Sequence, residues 1–273
     1  MSNRTKLSAA AATALALFSL PALANEPSLS PFAAQLGASY TDRSSEWTIG
    51  SNFGSDTMAA EAALLYRLDQ NLNLQIDYAY HEHDFDDGYT FDIWHVGGGI
   101  FSRDADFMVG LTGQAGKAGS ESGSFAKHFL IGPIMEAYQD NITFGARANY
   151  SHLEYDGNLA MKSVAGSLYA KLYASSNLAL TLTGDYADGE IESTNWTTYG
   201  GSAEAEYAYG SASVFLRAQY FKSESDSSEM DDTQAVVGLR LYLNSDDTSI
   251  MSLHRSTTIN NTNELMENTS FPG

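Results

Sequence analysis

Apolar and polar side chains alternate in short stretches along most of this chain, and that period of two constrains the fold more than any other feature. In Leu72-Asn73-Leu74-Gln75-Ile76-Asp77-Tyr78 the aliphatic and aromatic residues take one parity, while amides and a carboxylate take the other. Leu178-Ala179-Leu180-Thr181-Leu182-Thr183 repeats the pattern. Successive strand side chains point to opposite sides, so each stretch reads as a two-faced strand. Twelve such stretches occur, at residues 32–41, 57–68, 72–82, 89–101, 107–115, 124–138, 142–153, 161–174, 178–187, 197–208, 212–222 and 233–243. Connections after the even stretches are tight, as in Gln139-Asp140-Asn141 and Tyr209-Gly210-Ser211, and use residues that tolerate hairpin angles. Those after the odd stretches are longer and polar, such as Thr41 to Asp56, Gly116 to Gly123 and Lys222 to Asp232. The pattern predicts an all-β, up-and-down antiparallel transmembrane β-barrel of 12 strands, apolar outside and wet inside.

The N-terminus fits an exported chain. Arg4 and Lys6 precede an apolar run from Leu7 to Leu20, and Pro21-Ala22-Leu23-Ala24 offers a small-x-small cleavage pattern. The expected organisation is a cleaved signal peptide at 1–24, a periplasmic segment at 25–31, the barrel at 32–243 and a polar, flexible tail at 244–273. A small plug or a further strand near Thr248 to Ile259 competes with the flexible tail. Loss of Arg4 and Lys6 takes the formal charge from −20 to −22, because residues 1–24 hold no acid. An acidity of that size argues against a nucleic-acid partner. Cysteine is absent, which excludes disulfides and thiol chemistry.

Aromatic residues gather at stretch ends, where a ring can meet lipid and its polar tip can meet headgroups. One set is Tyr40, Tyr78, Tyr80, Tyr89, Phe91, Tyr150, Tyr186, Tyr199 and Tyr220; the other is Tyr66, Phe101, Phe107, Tyr138, Phe144, Tyr173, Tyr207 and Tyr242. Two places lose the alternation, Gly97-Gly98-Gly99 and Gly132-Pro133, and a bulge is expected at each. The faces of His95, Lys127 and His128 stay undecided.

The stretch Val236-Val237-Gly238-Leu239-Arg240-Leu241-Tyr242-Leu243 resembles the closing strand of Gram-negative porin-like outer-membrane barrels, with Gly238, Leu241 and Leu243 in the matching places. The resemblance implies a cell outer-membrane location, contact with lipid and lipopolysaccharide, insertion by a barrel-assembly machinery that reads this strand, and passive transport. A homo-oligomer is an open expectation.

The inward parity decides the chemistry. The expected pore-lining residues are Glu61, Arg67, Asp77, Arg147, Lys171, Asp185, Glu204, Glu206, Arg217 and Arg240, with Asp92 placed beside them. Small residues fill much of the remainder, among them Gly37, Ser39, Gly145, Thr181 and Ser213. Twelve strands lie between a filled eight-stranded barrel and an open sixteen-stranded one, and small lining residues would leave room for water. The expectation is a weakly selective passive channel for small hydrophilic solutes or ions. A plugged structural or adhesive barrel without transport is the alternative, because mixed charges can pair across strands and block the lumen. The acidic outer segments, including Asp231 and Asp232, read as a solvated face. His81 and His83 share a face and could grip a metal, but no third ligand is apparent, so no metal or cofactor is assigned. No catalytic elbow or metalloprotease helix occurs, and Ser151 and His152 should face opposite ways, so no enzyme is expected.

Overall fold

A computed structural model describes residues 31–48, 52–86, 88–120, 125–155, 160–191, 194–225, 228–243 and 249–257. The expected signal peptide, residues 25–30, and the tail beyond 257 lie outside the described residues. The strands are β1 (Phe32–Trp47), β2 (Phe53–Arg67), β3 (Leu72–Phe85), β4 (Thr90–Arg103), β5 (Phe107–Ser120), β6 (Phe125–Gln139), β7 (Ile142–Tyr155), β8 (Ala160–Tyr173), β9 (Leu178–Ile191), β10 (Thr194–Tyr209), β11 (Ala212–Ser225) and β12 (Glu229–Leu243). One helix follows, α1 (Ile250–Ser256). Each strand pairs antiparallel with its sequence neighbours, and β1 pairs with β12, which closes the barrel and leaves no sheet edge.

Orientation follows the alternation. Leu168, Leu182 and Leu216 are 70%, 65% and 63% exposed on the outer face. Leu74 and Leu180 also face out, whereas Gln75, next to Leu74, is buried inside. An apolar outer band around a closed ladder is stable only in lipid.

The strands run further than the alternation suggests. β1 continues to Trp47 and β2 begins at Phe53, so the expected long connection shrinks to residues 48–52; β11 and β12 are separated only by 226–228. The asymmetry between the two rims lies in strand length past the aromatic belt, not in loops. Past the belt there is no lipid, so both faces can be polar while the ladder still satisfies the backbone. Both described ends of the chain sit at the tight-turn rim.

Neither expected bulge forms. β3 and β4 hold one register from Leu72↔Ser102 to Asp84↔Thr90, straight across the glycine triplet. β6 and β7 keep the same register on both sides of Pro133, with Ile131↔Tyr150 and Ile134↔Arg147. Proline removes one ladder donor without adding a residue. The glycines answer close approach instead: a Cβ on Gly98 would lie 2.4 Å from the Gln75 carbonyl oxygen, and one on Gly132 would lie 1.8 Å from that of Ala148. Gly132→Ala should therefore cost about 1–3 kcal/mol by overpacking, read as a lower urea midpoint of the folded barrel.

The face of Asp92 is also corrected. Asp92 pairs with Glu82 on the outer face, while Phe91, Ile93 and His95 point inward. The alternation of Phe91 and Ile93 with Asp92 reads as apolar outside, but at this level the apolar residues fill an inner cluster. The aromatic belts divide in the same way: Phe91, Phe101, Tyr138, Tyr173 and Tyr242 turn into the lumen and pack in its clusters.

Candidate functional site in the barrel lumen

The ten sequence-selected residues all occupy the inward parity of their strands, as the continuous registers require. Eight of them fall into three groups. In the first, Glu204 accepts two hydrogen bonds from the Arg240 guanidinium, at 3.0 and 3.1 Å, with Arg217 3.8 Å away. Arg240 also binds Glu206 and lies 3.9 Å above the Phe215 ring. Glu206 is 1% exposed and further accepts from the Ser213 hydroxyl at 2.5 Å and the Tyr242 hydroxyl at 2.8 Å.

The second group surrounds Arg147, whose charge is coupled to Asp77, Asp185 and Glu136. Ser167 donates to Asp185 at 2.5 Å. Glu136, which the sequence reading did not select, accepts from the Tyr138 and Tyr169 hydroxyls at 2.8 and 2.5 Å. It follows the apolar run Phe129 to Ile134, so nothing local flagged its face; only the register opposite Gly145 fixes it.

The third group grips α1. Within the stretch expected as a flexible tail, α1 folds back into the tight-turn mouth. Ser249 caps it, the Ile250 amide donates to the Ser176 carbonyl at 2.8 Å, and Ile250 and Leu253 are fully buried against Tyr173 and Tyr242. Arg67 and Arg103 donate to the Ser256 and Thr257 carbonyls at 3.1 and 2.7 Å, satisfying the helix's orphan acceptors from the wall. Arg255 reaches the Ile142 carbonyl at 2.8 Å. His254 Nε2 lies 3.1 Å from Glu206. Burial and the nearby Lys171 charge lower the His254 pKa against the opposing pull of Glu206, so a neutral imidazole donates there. Arg67 and Glu206 thus hold a helix. It lies within the Thr248 to Ile259 stretch where a small plug competes with a flexible tail; its apolar run, Ile250 to Leu253, is too short to show a helical period.

Two inward glycines are covered by aromatic rings. Rings from neighbouring strands lie over them: a Cβ on Gly145 would meet Tyr169 at 2.0 Å, and one on Gly238 would meet Phe215 at 2.4 Å. Such cross-strand covering of glycine by an aromatic is a packing device. Toward the extended rim Phe91, Ile93, Leu153, Met161, Trp196 and Phe221 pack together on the inner face in one cluster. Between the two ends lies a cavity of about 60 Å³ bordered by Glu61, His81, Arg217, Gln219, Gln234 and Arg240, room for a few waters.

Asp232 is not part of a solvated face. It is fully buried, accepts from Arg43 Nε at 2.6 Å, and closes a polar layer below the extended rim. His81 and His83 share the inner face with His95 and His128; His81 and His95 have ring centroids 5.6 Å apart, and His95 and His128 6.0 Å. Among the described residues no group of three or more His, Asp or Glu has an arrangement that could hold a metal ion. Lys127 faces outward. Ser151 points inward to Ser163, 2.6 Å away, while His152 packs outside on Phe129.

No protein-family model matches the chain, and no curated protein sequence matches it. Solved structures do. The β domain of the Bordetella autotransporter BrkA aligns with a TM-score of 0.52 at 11% identity, over 77% of this chain and 99% of that one. The translocator domain of autotransporter NalP from Neisseria meningitidis aligns at 0.49 and 10% identity, over 85% and 95%. OmpT, an outer membrane protein of Vibrio cholerae, aligns at 0.43 and 11% identity in its loop L8 deletion mutant, over 78% and 99%. At such identities the likeness speaks of fold alone. The BrkA likeness, the closed ladder and the apolar outer band agree on the fold: this chain is a twelve-stranded transmembrane β-barrel.

Proposed function

We propose that this barrel is plugged at rest and serves as a structural or surface-presenting element of the outer membrane, not as an open porin. What supports this reading is packing inside the barrel at two levels: α1 stands in the tight-turn mouth, and Phe91, Trp196 and Phe221 belong to one cluster in the extended half. A few waters fit between, and ions need a continuous path. The proposed role is non-catalytic and calls for no nucleophile. Insertion by the assembly machinery through Gly238, Leu241 and Leu243 belongs to the same proposal; the short outer connections favour no particular oligomer.

Passive conduction of small hydrophilic solutes or ions is the second reading, favoured by the charged middle belt of Asp77, Arg147, Asp185, Glu204 and Arg217 beside the cavity. Planar-bilayer recording of the full folded chain separates the two. The plugged barrel should give no steady conductance; ohmic steps from protein whose gel mobility shows it folded would select the channel instead.

A further inference from the structure

Contacts of two kinds hold α1 in the tight-turn mouth. Most of them keep their character at any pH near neutral. Ile250 and Leu253 are buried and apolar, the Ile250 amide donates to the Ser176 carbonyl, and Arg67, Arg103 and Arg255 donate to carbonyl oxygens. Guanidinium groups stay charged throughout. The remaining polar link, His254 to Glu206 at 3.1 Å, is carried by the side chain whose charge ordinarily changes close to neutral pH.

The surroundings of His254 oppose a positive charge on its ring. The imidazole lies between Tyr173 of β8 and Tyr242 of β12, with ring centroids 5.8 and 6.2 Å away. Nε2 faces Glu206 of β10, but that carboxylate already binds Arg240 of β12 and accepts from Ser213 of β11 and from Tyr242. Glu204 of β10 is held by Arg240 as well. Nδ1 is buried and has no hydrogen-bond partner among the described residues. Three cations stand around the ring: Lys171 on β8, Arg240, and Arg255 on α1 itself, which lies over Tyr173 and over Tyr138 of β6. Glu136 of β6 is engaged by the Tyr138 and Tyr169 hydroxyls and by the charges of Arg103 and Lys171. β7 and β9 present Thr143 and Ala179. An imidazolium here would bury an N–H without an acceptor and add a fourth cation beside a carboxylate that is already shared.

We propose that His254 is an acid-sensitive latch: uptake of a proton by its imidazole releases α1 from the tight-turn mouth. The proposal rests on the plugged reading above, since it names what opens that closure. The sign follows from linkage. Burial and Lys171 hold the seated His254 below the ordinary histidine value of 6.5, so the released segment takes the proton more readily. The stability that the neutral link contributes is fully present above that value and declines as the pH falls below it. Each pH unit of the decline shifts the ratio of seated to released helix by up to about tenfold, the limit for one proton. A helix of seven residues does not hold its own ladder in water, so release also melts it.

The test is amide hydrogen exchange on the full folded chain in detergent, read by mass spectrometry over residues 249–257 at about pH 7.5 and about pH 5.5, where carboxylates ordinarily stay charged. Results are expressed as protection factors, which remove the pH dependence of exchange itself. Protection of α1 should fall about tenfold at the lower pH, while the strand amides of β9 and β10 keep theirs. His254→Gln keeps a donor for Glu206, cannot become charged, and should show equal protection at the two pH values. Lys171→Gln removes a cation beside the ring and should shrink the fall. Unchanged protection in the parent overturns the latch, and so does a full fall in His254→Gln. Where His254→Gln leaves α1 unprotected at both pH values, a fall in Lys171→Gln as large as the parent's overturns it instead. Steady conductance at about pH 7.5 would end the plugged reading and leave the exchange result standing.

Discussion

Glu206→Ala should lower the unfolding free energy of the barrel by about 3–5 kcal/mol, the range for removing one partner from a buried ion pair. Glu206 is 1% exposed and gathers Arg240, Tyr242, Ser213 and His254 onto one carboxylate. Alanine strands three neutral donors in a closed mouth and leaves Arg240 to Glu204 alone. The same change cuts the polar link between α1 and β10, so the helix should leave its seat as well. Limited proteolysis then becomes a second readout, with cleavage near residues 250–256 rising in the variant and staying low in the parent. Glu206→Gln keeps the volume and one acceptor and should cost less. Guanidinium titration of vesicle-folded protein, followed by tryptophan fluorescence, measures the difference. A loss under about 1 kcal/mol would mean that the carboxylate is hydrated in the folded barrel, as for an exposed pair.

The second large effect is at the other end. Asp232→Ala should also cost about 3–5 kcal/mol, because it leaves the Arg43 guanidinium buried without its counter-charge. Asp232 is fully buried, Arg43 is 7% exposed, and Gln234 donates to the same carboxylate at 3.3 Å. The companion variant Arg43→Met/Asp232→Leu removes both charges and fills the volume, and should recover most of the loss, since an apolar replacement of a buried pair is often neutral. A double variant as unstable as Asp232→Ala would show that the layer is held by shape at this position and not by charge.

Much of the barrel was legible because its information is local. Leu74 and Gln75, or Leu180 and Thr181, declare opposite faces in adjacent letters, and closure then follows from an even number of such strands. Legibility failed where a face could not be read locally. In β4 Phe91 and Ile93 alternate with Asp92 as a lipid face would, but they pack inside the lumen, so Asp92 stands outside. In β6 the run Phe129 to Ile134 is apolar on both parities, which hid the inward Glu136. At strand ends beyond the lipid both faces are polar, so Asp232 looked solvated when it was buried. Small residues misled for a related reason. Gly145 signalled space, but the ring that fills it, Tyr169, comes from the next strand.

The period of two, by itself, determined that this chain makes a two-faced ladder and that the apolar face meets lipid, because alternation needs only neighbouring residues to be expressed. What stands inside the ladder was decided by tertiary structure. Whether a carboxylate meets water, an arginine across the lumen or the end of a returning helix depends on side chains far apart in sequence, such as Glu206 with His254 or Arg43 with Asp232, which meet only after the first and last strands close the ring.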